Sequence, residues 1–372
     1  MKKILILTNN DAGFYNFRKE IITVLREKDN EVYISVPDTG HIEKLRNLGA
    51  EIIPTDVDRR GMNPVADLKL FGIYRRLIKK IQPDAVLTYT IKPNVYGGVA
   101  ARWNAVPFLP NVTGLGTTLQ GEGPVQTLIK GMYKVGLKGA KCVFFQNEFN
   151  LEFMKEKGCI SENTHTRLLP GSGVNLEEYS YLPYKTLDDS GELHLLYVGR
   201  IMNDKGSREL LEMAETIHNS HSNVIVDIVG AYEEETKAIY EPWINRLSES
   251  GAVKFHGFHS DMTPFYEMCQ ALVHPTYHEG MSNVVLEAAA SGRPVITSDI
   301  PGCREIYENG YGGLSFESKS TESLVETVEG FLSMEDQVRE KMGKTARYYV
   351  EQHFDRNIVM NAYLEEILNI QK

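Results

Sequence analysis

Two doubly wound α/β domains are predicted by three features of the chain. Short, unbroken apolar runs alternate with amphipathic stretches, the alternation restarts half-way along, and a turn-rich connector separates the two series. Strands without polar alternation are buried on both faces, the condition of a parallel sheet covered by helices. In the first series the runs Ile4–Leu7, Val32–Val36, Ile52–Ile53, Ala85–Tyr89, Phe108–Val112 and Val143–Phe145 predict strands. Helical periodicity near Phe17–Arg26, Ile42–Leu48, Leu68–Ile81, Val95–Trp103, Val125–Leu137 and Leu151–Lys157 predicts the intervening helices. The second series predicts strands at Leu193–Val198, Val224–Val229, Val253–Phe255, Ala271–His274 and Pro294–Thr297. Its helices are expected near Arg208–Ile217, Lys237–Leu247, Thr263–Cys269, Asn283–Ala290, Leu324–Leu332 and Gln337–His353.

The connector runs from about Leu168 to Leu193 and opens on Pro170-Gly-Ser-Gly173, a composition that fits a link between domains. The expected division is therefore residues 1–175, residues 176–354, and a C-terminal helix over 355–372. The apolar stripe Ile358, Ala362, Leu364, Ile367 and Leu368 on that helix predicts that it packs back across the domain interface.

With 372 residues, 42% hydrophobic and 24% charged, the composition is that of a soluble globular protein and excludes fibrous and disordered classes. The opening apolar run, Ile4 to Leu7, is cut short by Asn9, Asn10 and Asp11, so it reads as a first strand and not as a secretion signal. No run approaches the roughly 18–20 apolar residues that span a bilayer, and a cytoplasmic protein is expected. Cys142, Cys159, Cys269 and Cys303 share no short spacing, which predicts reduced thiols and neither a disulfide framework nor a zinc knuckle. The net charge of -10 is unevenly placed: the first 175 residues carry an excess of cations and the remainder a larger excess of acids.

Two segments of the second series carry the chemistry. Gly199-Arg-Ile-Met-Asn-Asp-Lys-Gly206 follows a predicted strand, at the end where ligands of doubly wound sheets sit. Arg200 and Lys205 there can neutralise a diphosphate and stabilise the charge that grows on it as a bond to it breaks. A pair of solvated loop cations is the plain alternative. In Glu279-Gly-Met-Ser-Asn-Val-Val-Leu-Glu287, Gly280 allows close backbone approach, and Ser282 or Asn283 can cap a helix whose free N–H groups favour an anion. Glu279 can accept hydroxyls of a sugar. Glu287, on the helix face of Asn283, can accept both hydroxyls of a ribose. Taken together the segments describe a site for a nucleotide-sugar.

Gly-Arg-x4-Lys-Gly followed by Glu-Gly-x6-Glu resembles the family-4 retaining glycosyltransferases of the GT-B fold, two Rossmann-like domains facing a cleft. The opening strand with its Gly13 turn, Leu169–Asn175, Val253–Gly257 and Ala288–Val295 match the same layout. The segments Phe14–Arg18, Thr90–Gly97 and Asn111–Gly116 are similar to bacterial members that extend polyprenyl-diphosphate-linked sugars. The resemblance implies that Arg200 and Lys205 hold the donor diphosphate, Glu279 the donor sugar and Glu287 the ribose, with Gly199, Gly280 and the backbone of Ser282, Asn283 and Val284 completing the donor side. It places Gly13, Phe14 and Lys92 on the acceptor side. Many members carry a His where this chain has Ile91-Lys92. The resemblance also implies a UDP-sugar donor, a lipid-linked sugar acceptor, no metal, no cofactor, and front-face attack with no protein base. Two other readings stand beside it: a nucleotide-sugar epimerase of the same fold, and a non-catalytic glycan-binding partner.

Other signals are weaker. Asp56-Val-Asp58 and His274-Pro-Thr-Tyr-His278 have metal-like spacing, but Arg59-Arg60 and Pro275 argue against metal roles. Gly114, Gly116, Gly121 and Gly123 form either a gate over the acceptor or a plain surface loop. Lys130, Lys134 and Lys138 on the Leu128–Lys141 stretch, with Arg75, Arg76, Lys79 and Lys80, fit an anionic inner membrane surface or a solvated helix face. Nucleic acid is not expected as a partner, since no recognition motif accompanies the charge.

Overall fold

The computed structural model describes residues 1–58, 61, 63–115, 123–186 and 191–370. The expected Arg59-Arg60, Gly116 and Gly121 and the connector residues 187–190 lie outside the described residues. The chain divides into two compact units, one of Met1–Ser172 with Asn357–Lys372 and the other of Gly173–Arg356.

In the first unit β1 (Lys3–Leu7), β2 (Glu31–Val36), β3 (Glu51–Pro54), β4 (Ala85–Tyr89), β5 (Phe108–Val112), β6 (Val143–Phe145) and β7 (Thr166–Leu168) form one sheet in the order β3-β2-β1-β4-β5-β6-β7. Every pairing in it is parallel. The order reverses between β1 and β4, and that reversal opens a crevice at the carboxyl ends of those two strands. Ile4, Ile6, Ile34, Leu87 and Leu109 bury one face of the sheet; Leu5, Leu7, Val86 and Phe108 bury the other. The final helix, Arg356–Leu368, belongs to this unit's core through Val359, Met360, Tyr363 and Ile367.

The second unit repeats the plan with β8 (Leu193–Val198), β9 (Val224–Val229), β10 (Val253–Gly257), β11 (Ala271–His274), β12 (Val295–Ser298) and β13 (Gly313–Phe316), ordered β10-β9-β8-β11-β12-β13. These strands are also parallel throughout, and the reversal falls between β8 and β11, where Ala271 sits opposite Leu195. The connector is fastened to this unit by the buried Arg293 and the partly buried Arg347. Arg293 donates to the carbonyl oxygens of Leu182 and Pro183, and Arg347 donates to Tyr179 O at 2.7 Å and Ala290 O at 2.6 Å.

Two strands escape the sequence pattern, β7 and β13. Both are edge strands of only three and four residues whose middle positions are half-buried, so they lack an apolar run. The helix expected near Phe17–Arg26 is two helices, Asp11–Arg18 and Glu20–Glu27, and the expected Gly13 turn lies inside the first of them. No helix among the described residues is long and apolar enough to cross a membrane.

Candidate functional site

The reversal between β8 and β11 brings together the two segments singled out in the sequence. After β8 the chain passes Gly199 and Arg200 into a short 3-10 turn, Asn203–Lys205, which Gly206 closes at φ +66°. A Cβ on Gly206 would lie 1.9 Å from Pro275 O, so only glycine lets this loop press against the segment after β11. Two bonds then stitch the loops: Tyr277 N donates to Asp204 O at 3.0 Å, and Thr276 Oγ1 donates to the same oxygen at 3.5 Å. Gly302, at φ +88°, approaches the backbone of Glu279 from the other side, and Ser282 N donates to Gly302 O at 2.8 Å.

That scaffold sets Lys205 Nζ 2.5 Å from Glu279 Oε1. The same carboxylate oxygen accepts from Thr276 Oγ1 at 3.2 Å and faces His274 Nε2 at 3.3 Å. Burial pushes the Glu279 carboxyl up, but the Lys205 ammonium and the His274 bond outweigh it and hold the group at about 2. His274 is pushed below its ordinary value by burial, against the pull of Glu279, and its Nε2 lies 3.0 Å from Ser282 Oγ. Ser282 also caps the helix Asn283–Ala290, accepting from Val285 N at 3.4 Å. Asn283 Oδ1 at this helix start is buried without a hydrogen-bond partner in the structure.

Glu287 occupies a separate niche one turn on. Tyr266 Oη donates to its Oε2 at 3.1 Å, and Tyr179 also hydrogen-bonds it. Burial raises its pKa to about 7; the two tyrosines and the nearby Arg356 offset this only in part. Arg200 is half exposed and pairs with Glu233, while its own carbonyl accepts from Tyr197 Oη at 2.9 Å. Both cations are therefore matched to carboxylates. An anion of higher charge can displace those carboxylates, freeing Glu279 to accept hydroxyls.

The structure joins Lys205, Glu279, Gly280, Ser282, Asn283 and Val284 around one turn and helix start, with Gly199 and Arg200 at the end of β8 and Glu287 in its own niche. Glu233, Tyr179, Tyr266 and His274 in its supporting role were not found from sequence. The one local signal at His274 is its spacing to His278, against whose metal role Pro275 argues.

In the first unit the crevice between β1 and β4 holds Gly13, where a Cβ would meet Asn10 Nδ2 at 2.7 Å. Asn9 Oδ1 and Thr90 Oγ1 are buried there without hydrogen-bond partners, and Thr90 takes φ +74°, a strained value for a β-branched residue. The other two residues expected on the acceptor side are buried. Phe14 is 2% exposed and packs edge-on against Tyr89 at 5.7 Å, which makes it a core residue. Lys92 is buried, and its Nζ is committed to Asp67 Oδ1 at 2.7 Å, while Tyr96 Oη donates to the other oxygen at 2.8 Å.

Comparison with known proteins gives the family. Residues 3–147 match the glycosyl transferase 4-like family model, and residues 183–349 match that of the glycosyl transferases group 1. The chain is 30% identical, over 98% of its length and 97% of the relative's, to N,N'-diacetylbacillosaminyl-diphospho-undecaprenol alpha-1,3-N-acetylgalactosaminyltransferase of Campylobacter jejuni. It is 28% identical, over 94% of its length and 92% of the relative's, to the capsular polysaccharide biosynthesis glycosyltransferase CapM of Staphylococcus aureus. Among solved structures, Anabaena HepE in complex with UDP-glucose superposes with a TM-score of 0.80 at 17% identity, covering 100% of both chains. The chain thus belongs to the group 1 and 4-like glycosyl transferases, has the GT-B fold of two Rossmann-like domains, and is an enzyme that transfers sugars.

Proposed function

We propose that the enzyme moves a hexose or N-acetylhexosamine from a UDP-sugar to a polyprenyl-diphosphate-linked sugar, with retention at the anomeric carbon, at the inner face of the membrane. The observation that carries the donor side is the Lys205–Glu279 pair beside a capped helix start, with Glu287 hydrogen-bonded by Tyr266 and Tyr179 in a niche of its own. The donor diphosphate draws Lys205 and Arg200 from their carboxylates and sits before the helix N-terminus, where dipole and N–H groups favour it. Glu279 then accepts hydroxyls of the sugar, and Glu287 accepts the ribose diol. As the bond from the anomeric carbon to the diphosphate breaks, these cations hold the charge of the leaving UDP. The acceptor hydroxyl bonds to the same carbon from the same face and passes its proton to a donor phosphate oxygen, so no protein base is assigned and no metal is required.

The acceptor class is supported by the relatives' own names. The Campylobacter protein acts on an undecaprenol-diphosphate-linked sugar, and an Escherichia coli relative is a UDP-Gal:alpha-D-GlcNAc-diphosphoundecaprenol galactosyltransferase, 25% identical over 83% of this chain. The decisive experiment offers a panel of labelled UDP-sugars with polyprenyl-diphosphate-linked mono- and disaccharides. Label passing to the organic phase, in an α linkage by NMR, is expected. An epimerised free nucleotide-sugar with no label on lipid would refute the reading.

A further inference from the structure

Within the first unit the helices Pro64–Ile81, Gly98–Trp103 and Pro124–Leu137 leave an apolar groove of ≈ 1020 Å³. Leu68, Trp103, Leu128 and Val135 line it, and they are 70%, 65%, 55% and 54% exposed. Single exposed apolar residues are ordinary, but four large ones in one concavity mark a binding surface. The volume is at the upper end of the ~300–1,000 Å³ typical of small-ligand pockets.

The surroundings say what kind of ligand fits. The Arg75 guanidinium lies 4.9 Å over the Trp103 ring, and Arg102, next to Trp103 in the chain, donates to Val135 O at 3.1 Å and Lys138 O at 2.6 Å. An apolar slot with a cationic rim is complementary to a hydrocarbon that ends in an anion. A second copy docking through this face would bring two like-charged rims together, which disfavours self-association. Asp67, held by Lys92 and Tyr96, walls the groove from a smaller pocket of ≈ 380 Å³ whose mixed lining includes Asp56, Lys69 and Lys92 as well as Leu70 and Ile73. The apolar groove thus shares a wall with a pocket that carries charged side chains, an arrangement suited to an amphipathic molecule.

We propose that this groove takes the isoprenoid chain of the lipid-linked acceptor, with the diphosphate emerging among the rim cations. The inference rests on the acceptor class given above. Trp103 is one of two tryptophans in the chain, so in a Trp243→Phe protein its emission alone reports the groove. Geranylgeranyl diphosphate below its micelle concentration should give a saturable blue shift, and inorganic diphosphate should give none. Gly131 lines the groove, and a Cβ there meets no atom within 4 Å. Gly131→Phe should weaken the prenyl diphosphate at least about tenfold (about 1.4 kcal/mol) and leave UDP affinity unchanged. Absence of a saturable shift, or an undiminished one in Gly131→Phe, would overturn the proposal. A shift seen only with phosphatidylglycerol vesicles would also overturn it, by making this face a bilayer-inserting surface. If Gly131→Phe transfers sugar to a polyprenyl-linked acceptor at the native kcat/KM, the groove assignment fails while the proposed function stands. If the prenyl diphosphate binds but no lipid-linked acceptor is glycosylated, the proposed function fails and the acceptor assignment with it.

Discussion

The two units share a strand plan yet treat their crevices in opposite ways. At the β8/β11 reversal the structure concentrates charge: Lys205, Glu279, Arg200 and Glu233 are present as matched pairs before any ligand arrives. At the β1/β4 reversal it concentrates neutral polar atoms, with Asn9 Oδ1 and Thr90 Oγ1 left without hydrogen-bond partners. Of the charged residues near that crevice, Lys92 and Asp67 are spent on each other, Asp11 accepts from Thr39 and His41, and Arg18 lies 4.9 Å over the Tyr89 ring. A fold of this kind sets where a ligand sits, while the side chains at the strand ends decide what it is. Paired charges can be exchanged for an anion without stranding a bare charge; orphaned amide and hydroxyl groups suit a hydroxylated ligand.

Changes on the charged side should have the greatest consequence. Replacing Arg200 or Lys205 by Ala is expected to lower kcat by roughly 10²–10³, the scale of removing one electrostatic stabiliser of a transition state. Steady-state rates with unaltered circular dichroism check this, and near-native turnover in either variant would erase the contrast between the crevices.

The next effect separates two carboxylates within the charged crevice. Glu287→Ala should weaken UDP about tenfold or more, on the order of 1.4 kcal/mol. Glu279→Ala should leave UDP affinity nearly intact and depress transfer. Isothermal calorimetry with UDP decides it, and equal losses in the two variants would refute the division of ribose from hexose.

The same Glu287 makes the donor side sensitive to pH. Its folded pKa of about 7 lies above the ordinary 4.5. A carboxyl raised by burial costs stability when ionised, so the penalty is absent below pH 4.5 and grows as pH climbs through 7. Glu287→Gln should therefore melt higher than the native protein at about pH 8 and lose that advantage at about pH 5. A melting difference that does not change with pH would show that the tyrosines and Arg356 compensate the burial fully.

Smaller still is the effect of the exposed Arg200–Glu233 pair. Such pairs are worth about 0–1 kcal/mol, so freeing Arg200 with Glu233→Gln should lower the donor KM by about five-fold at most. A rise in KM would show that Glu233 orients Arg200 toward the donor and does not compete with it.

What the sequence disclosed follows from the range of the interactions. Runs such as Ile4–Leu7 and Leu193–Val198 announce their strands because both faces of each are buried, whereas Thr166–Leu168 and Gly313–Phe316 are half-covered edges with no such signature. Lys205, Glu279 and Glu287 were legible because the glycines and the helix cap that place them are adjacent in the chain. Glu233, Tyr179 and Tyr266 were not, since each reaches its partner across twenty or more positions. Phe14 misled for a related reason: its motif is local, but its burial against Tyr89 is not.

The final helix has a consequence for the order of events during synthesis. The chain leaves the first unit at Ser172 and returns to it at Asn357. Tyr363 Oη donates to Asn111 Oδ1 at 2.5 Å, and Lys2 Nζ donates to Ile367 O at 2.7 Å, so residues more than 250 positions apart close one core. Domains generally fold as units, N-terminal first, as they leave the ribosome. Here the second unit can finish while the first still waits for its last element, with the apolar patch that will meet Val359 and Tyr363 uncovered. Nascent chains released before residue 357 should accordingly be held by chaperones or cleared by proteases, and the enzyme's yield in the cell should depend on the helix Arg356–Leu368 more than on any loop of the second unit.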